Sequence, residues 1–207
     1  MRTKTHLIFD MDGTLIDSSA LLANTINYVR ERISLPKLAD EEIIEAINDA
    51  SINPARFFYN SDKFQKIHEY HFHTYYKKHH HTQSRLYDGV EEFLIDSSKT
   101  HKLALATNAY DVSAVPLLES MGISKYFDIV VCANEVPLSK PHPHMIEKII
   151  DFYGEKRESF LMIGDGVRDI KAANNAKIDS LLVAWGFSDH PTGAISDINE
   201  LREFLGI

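Results

Sequence analysis

The stretch His6-Leu-Ile-Phe-Asp10-Met-Asp12-Gly-Thr-Leu15 constrains the fold of this chain more than any other. Leu7 to Phe9 make a short apolar run of the kind that forms a fully buried strand, and two carboxylates and a glycine stand where it ends. Side chains along an extended strand alternate between faces, so Asp10 and Asp12 project to one side if the strand geometry persists to its tip. Like charges held that close require a joining cation or a proton on one of them, and Gly13 lets the backbone turn away beside them. Taken alone, Asp-Gly-Thr also fits an Asx-type turn closing a strand. The choice between the two depends on what the rest of the chain brings to the same place.

From Tyr87-Asp88-Gly89 onward, helix and strand patterns alternate. Val90, Phe93 and Leu94 form a helix face, Lys102 to Ala106 a strand, and Val112 to Met121 a helix closed by Gly122. Ile129 to Cys132, Phe160 to Ile163 and Leu181 to Trp185 supply further short apolar strands, with helices starting near His142 and Asp169. Asp197 caps a closing amphipathic helix that runs to Leu205. This alternation predicts an α/β fold, a doubly wound parallel sheet of Rossmann-like form covered on both faces. In such sheets ligands bind beyond the carboxyl ends of the strands.

Residues 17–83 break the alternation. Ser18 is a candidate N-cap for the periodic stretch Leu21, Leu22, Thr25, Ile26, Val29 and Ile33, which Pro36 ends. Asp40 opens a second amphipathic piece through Ile43, Ile44 and Ile47, ending at Asn48-Asp49-Ala50-Ser51. From Ser61 the spacing of Phe64, Ile67, Phe72, Tyr75 and Tyr76 predicts a third helix with an aromatic face. The expected organisation is therefore a core of residues 1–16 and 84–207, with an all-helical lobe of residues 17–83 inserted after the first strand. The lobe carries His68, His71, His73, His79, His80 and His81. With no cysteine or Glu-x-x-His arrangement beside them, and with Lys77 and Lys78 in the run, they read as a solvated helix end rather than a metal site.

Composition narrows the class. The chain has 207 residues, 44% hydrophobic and 25% charged, room for one core domain plus an insert. No apolar run reaches the about 18 residues a membrane span needs. Residues from Met1 lead directly into the first strand rather than through a signal-like apolar region, and Cys132 has no partner for a disulfide within the chain. A cytoplasmic protein is expected. Its formal net charge of −8 argues against nucleic acid as a partner, because that affinity rests on Lys and Arg neutralising phosphates. Cys132, inside an apolar run, reads as a small buried hydrophobe.

If the strands are parallel, the residues just past them share one cleft: Asp10 and Asp12, Thr107 and Asn108, Lys140, and Asp165 with Asp169. Clustered carboxylates repel without a cation, so a hard, oxygen-liganded ion, Mg²⁺ foremost, suits Asp10, the Asp12 carbonyl and Asp165. A phosphate would complete the set, its charge met by the ion, by Lys140, by the Thr107 hydroxyl and by N–H groups of the Thr107-Asn108 loop.

Asp10-Met-Asp12-Gly13-Thr14, Thr107-Asn108, Lys140-Pro141-x-Pro143 and Gly164-Asp165-x-x-x-Asp169, in this order, resemble the four signature motifs of the haloacid dehalogenase-like hydrolase superfamily. Tyr87-Asp-Gly89, Leu118-x-x-Met-Gly-Ile123-x-x-Tyr-Phe127 and Trp185-Gly-Phe187 resemble connecting segments of its phosphoglycolate phosphatase-like branch. The resemblance implies a Mg²⁺-dependent phosphomonoester hydrolase acting on a small phosphorylated metabolite, as a monomer or homodimer. Asp10 would be the nucleophile that becomes an aspartyl phosphate, and Asp12 the acid that serves the leaving oxygen and then activates water. Lys140, Thr107 and Asn108 would hold the phosphoryl group, Asp10, Asp12 and Asp165 the metal, and Asp169 would support Lys140 or the metal's waters. Residues 17–83 would be the family's helical cap.

The resemblance fades in that lobe. The glycine-bearing selectivity stretch has no clear counterpart in Ala46 to Asn53, and Gly166 stands where the family often carries Ser or Thr. Asn53 and Arg56 are candidates for the anionic end of a substrate. A sugar-phosphate mutase using the same aspartates, and a non-catalytic phosphate-binding protein, are the two alternatives.

Overall fold

The computed structural model describes residues 4–49, 51–187 and 193–207. Residues 1–3 at the start of the chain and residue 50 in the stretch closing the second helix lie outside the described residues. In chain order the elements are β1 (His6–Phe9), β2 (Ile16–Asp17), α1 (Ser19–Arg32), α2 (Asp40–Asn48), α3 (Pro54–Tyr59), α4 (Lys66–His79), β3 (Arg85–Leu86), α5 (Val90–Thr100), β4 (Lys102–Thr107), α6 (Asp111–Ser120), β5 (Ile129–Cys132), α7 (His144–Tyr153), β6 (Phe160–Gly164), α8 (Val167–Ala176), β7 (Asp179–Leu182) and α9 (Ile198–Leu205).

The main sheet has the order β5-β4-β1-β6-β7, with every neighbouring pair parallel. β1 lies at its centre, Leu7 facing Leu103 on one side and Leu161 on the other. A strand with a partner on each edge and helices on each face must be apolar at every position, which is why Leu7-Ile8-Phe9 carries no polar alternation. Its side chains divide between two cores. Leu7 and Phe9 pack with Phe93 and Leu94 of α5, Leu117 of α6 and Leu201 of α9. Ile8 packs on the opposite face with Met145, Ile146 and Ile149 of α7 and Ala172, Ala173 and Ala176 of α8. The expected doubly wound sheet is what the chain forms.

Helices α1 to α4 all fall between β2 and β3, a two-residue antiparallel pair in which Ile16 faces Leu86 and Asp17 faces Arg85. They build a third, separate core from Ala23, Ile26 and Val29 of α1, Ile43 of α2, and Phe58 and Tyr59 of α3.

Some local expectations shift. Ser18 precedes α1 but makes no cap; its hydroxyl donates instead to Asp12 Oδ1. The third helix does not start at Ser61: α3 comes first, with Pro54 at its start and Asn53 Oδ1 accepting from the Arg56 N–H at 3.1 Å, and α4 begins only at Lys66. Six residues are too few for helical periodicity to register. The last strand spans Asp179–Leu182 rather than 181–185, because its ladder partner β6 runs out at Gly164, which faces Leu182. Past that point Trp185 leaves the sheet and donates its indole N–H to Thr14 O at 2.9 Å.

Candidate active site

Parallel strands end together, so the loops after β1, β4 and β6 meet at one edge of the sheet. Asp10 follows β1 directly, its N–H donating to Ile163 O at 2.9 Å, which registers the β1 loop against β6. Lys140 reaches the same place from the long loop after β5. Its Nζ donates to Asp10 Oδ1 and to Asp169 Oδ1, both at 2.6 Å, and the residue is 3% exposed. Burial works against the lysine's charge, but Asp10 and Asp169 outweigh it and hold the ammonium above the usual lysine range. Asp169, in the first turn of α8, accepts from the Gly166 N–H at 3.1 Å with its other oxygen, so the helix end fixes the carboxylate that fixes the lysine.

Asp165 is 2% exposed and accepts from the Phe187 N–H at 3.0 Å and, at 3.4 Å, from the Thr14 hydroxyl. Ligand oxygens of Asp10, Asp165 and Asp169 all lie within 4.8 Å of one another; among the described residues they form the one convergent group of His, Cys, Asp or Glu. Burial raises the Asp10 carboxyl well above the ordinary range, with Asp169 and Asp165 adding to the shift and Lys140 opposing it. Burial, then Asp169, lifts Asp165 to about 7. A single lysine thus leaves this site short of positive charge, and an all-oxygen donor set of clustered carboxylates is the chemistry that fits a hard divalent cation.

Asp12 stands beside this group at the floor of the cleft. Burial pushes its carboxyl up to about 6, against the lowering effect of the Ser18 hydroxyl and then of Lys140. Thr107 is buried at the end of β4; its oxygen accepts from the Ala109 N–H at 3.0 Å, which leaves the hydroxyl hydrogen to donate into the cleft. The Asn108 side chain ties two loops together. Its Nδ2 donates to Lys140 O at 3.0 Å, tying the β4 loop to the lysine's loop, while Oδ1 is buried without a hydrogen-bond partner among the described residues.

The loops pack too closely for side chains. At Gly13 the backbone has φ +84°, and a Cβ there would lie 2.3 Å from Asp165 Oδ2. At Gly186 a Cβ would lie 2.3 Å from Gly13 O.

Above this floor is a cavity of about 300 Å³, lined from below by Asp10, Asp12, Thr107, Asn108, Lys140, Asp165 and Asp169 and from the helical side by α1, α3 and α4. His68 and His73, read in the sequence as part of a solvated run, face this cavity, and the His68 ring packs against Tyr59 in a tilted pair with centroids 4.7 Å apart. Tyr76 and Phe72 join them there. The i, i+4 spacing of His68, Phe72 and Tyr76 was the signal available for three of them, with His73 at i, i+3 to Tyr76. Asn53 and Arg56 do not line the cavity: Arg56 pairs with Asp62 at 2.5 Å with its side chain 74% exposed. Cys132 is buried in β5 and its thiol is pushed up to about 12 by burial, as expected of a packing residue.

The family model for haloacid dehalogenase-like hydrolases matches residues 7–183. The chain belongs to the haloacid dehalogenase-like hydrolase family. A phosphoglycolate phosphatase of Agrobacterium fabrum is 31% identical over 192 residues, covering 89% of this chain and 82% of that protein. A pyrophosphatase PpaX of Halalkalibacterium halodurans is 27% identical, covering 97% and 96%. Among solved structures, a haloacid dehalogenase-like hydrolase of Streptococcus pneumoniae superposes with a TM-score of 0.82 at 21% identity, covering 99% of each chain, a likeness of fold. The family reading and the reading of the chain as a phosphatase of that family both stand.

Proposed function

We propose that this haloacid dehalogenase-like phosphatase is a Mg²⁺-dependent phosphomonoester hydrolase that works through a phosphorylated Asp10. The observation that carries the reading is the Lys140 ammonium, buried and shared at 2.6 Å between Asp10 and Asp169, with Asp165 alongside. An isolated structural ion pair would not need two further buried acids, Asp165 and Asp12, whose carboxyls are driven toward protonation.

When bound, a divalent cation supplies charge neutralisation and orientation for the phosphoryl oxygens; Asp10, Asp165 and the Asp12 carbonyl would hold it, with Asp169 behind them. The chain's own residues do the rest. The free Asp10 oxygen attacks phosphorus, the bond from phosphorus to the ester oxygen breaks, and the Asp12 proton goes to that departing oxygen. The Asp12 carboxylate then takes a proton from the water that splits phosphate from Asp10, returning both acids to their starting states. Lys140 and the Thr107 hydroxyl hold two phosphoryl oxygens, and Asn108 contributes its backbone N–H while its side chain keeps Lys140 in place. Ser18 orients Asp12 by donating to Oδ1, which leaves Oδ2 to carry the carboxyl proton.

Residues 17–83 act as the cap: they roof the cavity and exclude water while the phosphoryl group is on Asp10. The substrate is a small phosphorylated metabolite, in keeping with the names of the Agrobacterium and Halalkalibacterium relatives. A cytoplasmic setting accords with the single, buried cysteine.

Phosphate release from a panel of small phosphomonoesters and pyrophosphate, first with Mg²⁺ and then with EDTA, tests the proposal. Release that stops with chelator and in Asp10→Asn is expected. Isomerisation of a sugar phosphate without net release would point to a mutase, and tight phosphate or metal binding with no turnover to a non-catalytic binder.

A further inference from the structure

The cavity above the phosphoryl site holds a cation that the chemistry at Asp10 leaves unused. Arg168, in the first turn of α8, lines it together with the acids of the floor and the apolar side chains of α1, α3 and α4. A guanidinium offers five N–H donors. Here the Nη2 bond to Asp49 O, at 2.6 Å, is the one side-chain hydrogen bond that Arg168 makes among the described residues, and it bridges α8 to the segment after α2. Nε is buried and has no partner among those residues. The acceptor at Asp49 is a neutral carbonyl, so no carboxylate meets the positive charge directly. Burial works against that charge, and Asp49 and then Asp169 favour it only through space. The first turn of a helix is also the wrong end for a cation, because the N–H groups there already carry partial positive charge.

The other charged or basic side chains around the cavity are committed or of the wrong kind for an anion. Lys140 is shared between Asp10 and Asp169. Glu69, on α4, repels anions from its own stretch of wall, and burial lowers the His68 pKa, favouring the neutral ring. Arg56, the cation that the sequence offers for a substrate's anionic end, pairs with Asp62 away from the cavity. Arg168 directly precedes Asp169, the acid that holds Lys140, so its planar fork stands a short way from the phosphoryl position. A fork of this shape with unfilled donors matches the paired oxygens of a carboxylate or a phosphate. A partly desolvated cation without a counter-ion is costly, and an anion arriving with the substrate supplies the missing charge.

Resting on the hydrolase reading above, we infer that Arg168 is the specificity-determining residue of this site: it binds a second anionic oxygen group, a carboxylate or a phosphate, carried by the leaving group of a small phosphorylated substrate. The cavity of about 300 Å³ suits a short body between two anionic ends, packed against Phe58 and Phe72. Arg168 belongs to α8 and is tied to the helical lobe through Asp49 O, so the second anion is recognised at the seam between lobe and sheet. The stretch from Ala46 to Asn53 contributes a backbone carbonyl to that seam and carries no cation of its own.

The test compares kcat/KM for 2-phosphoglycolate, pyrophosphate and ethyl phosphate, each with Mg²⁺, in the purified protein, in Arg168→Gln and in Arg168→Lys. Ethyl phosphate has a two-carbon body and no second anion. At least one of the other two is expected to exceed it by about tenfold or more in the native protein, and Arg168→Gln to cut that ratio by about tenfold or more, the size of effect expected from a charge-assisted contact. The loss should fall chiefly in KM, because the second anion is held alike before and during the reaction. Arg168→Lys keeps a cation without the fork and should give an intermediate ratio. A fall for 2-phosphoglycolate marks a carboxylate as the ligand of Arg168, and a fall for pyrophosphate a phosphate. A merely structural bridge to Asp49 would lower turnover of all three together and leave the ratios where they were. Ratios unmoved by Arg168→Gln, or ethyl phosphate turned over as well as both of the others, overturn the inference and leave the hydrolase reading standing. No Mg²⁺-dependent phosphate release from any of the three overturns the hydrolase reading, and the inference with it.

Discussion

At the scale of single residues, the site is a balance of buried charge with Lys140 at its centre. Lys140→Met keeps the length of the side chain and removes the cation, leaving Asp10 and Asp169 facing each other in a buried setting. Breaking a buried pair from one side costs about 3 kcal/mol or more, so urea unfolding in EDTA should show a loss of that order, and kcat/KM should fall by at least about a hundredfold. A variant with unchanged stability and near-normal turnover would show that the lysine is peripheral. A second residue-scale effect lies far from the cleft. His6 packs its ring on Tyr153 at 4.6 Å and on Phe160 at 4.7 Å, and burial lowers its pKa from the usual value of 6.5. In the unfolded chain His6 therefore takes a proton before it does so in the folded protein. The stability it contributes is present above about pH 6.5 and is lost as the pH falls from there through the lower folded value. The Tm advantage of the native protein over His6→Gln should accordingly shrink between pH 7.5 and pH 5; an advantage that grows on acidification would reverse the assignment.

At the scale of elements, the site depends on loops that approach each other at backbone distance. Gly13→Ala would force a side chain onto φ +84° and drive a methyl group into Asp165 Oδ2, whereas Gly154→Ala, also at positive φ, meets nothing within 4 Å. Both should lose about 1–2 kcal/mol in denaturant unfolding from backbone strain. Gly13→Ala alone should also lose most of its turnover, because Asp165 must move. Equal kcat in the two variants would mean that the approach of Gly13 to Asp165 is packing without function. Such close approaches are not written in a sequence, but much of what produces them is. The five parallel strands were legible because buried strands show as apolar runs, and the cleft acids because they stand directly after those runs. What escaped depends on partners distant in the chain. Ser18 looked like a helix cap and serves Asp12; Leu181 to Trp185 looked like a strand by apolarity alone, although β6 offers no ladder past Gly164. The pairing of β2 with β3 is two residues long and leaves no periodic trace. His68 and His73 were read with their exposed neighbours because a histidine run carries no sign of which members face inward.

At the scale of the whole molecule, the proposed function couples folding to metal binding. The acids that would hold the cation are brought together only when β1 and β6 lie side by side, so a divalent ion held there would bind the folded chain and not the unfolded one. Mg²⁺ at a hundred times its dissociation constant should raise the unfolding free energy by about 2.7 kcal/mol, read as a rise in Tm that EDTA reverses and that is largely lost in Asp165→Asn. A Tm indifferent to Mg²⁺ would remove the metal from the account. The helical lobe enters and leaves through the β2 and β3 pair, and its aromatic wall meets the acid-bearing loops across one cavity, so the proposed function divides chemistry and water exclusion between separate parts of the chain. The central claim is that Asp10 carries the phosphoryl group, and mass spectrometry of peptides from protein acid-quenched during turnover with Mg²⁺ tests it most directly. A phosphoryl group on the peptide bearing Asp10, absent in Asp10→Asn, is the predicted result; active enzyme with no phosphorylated peptide, or with the phosphoryl group on another residue, would contradict it.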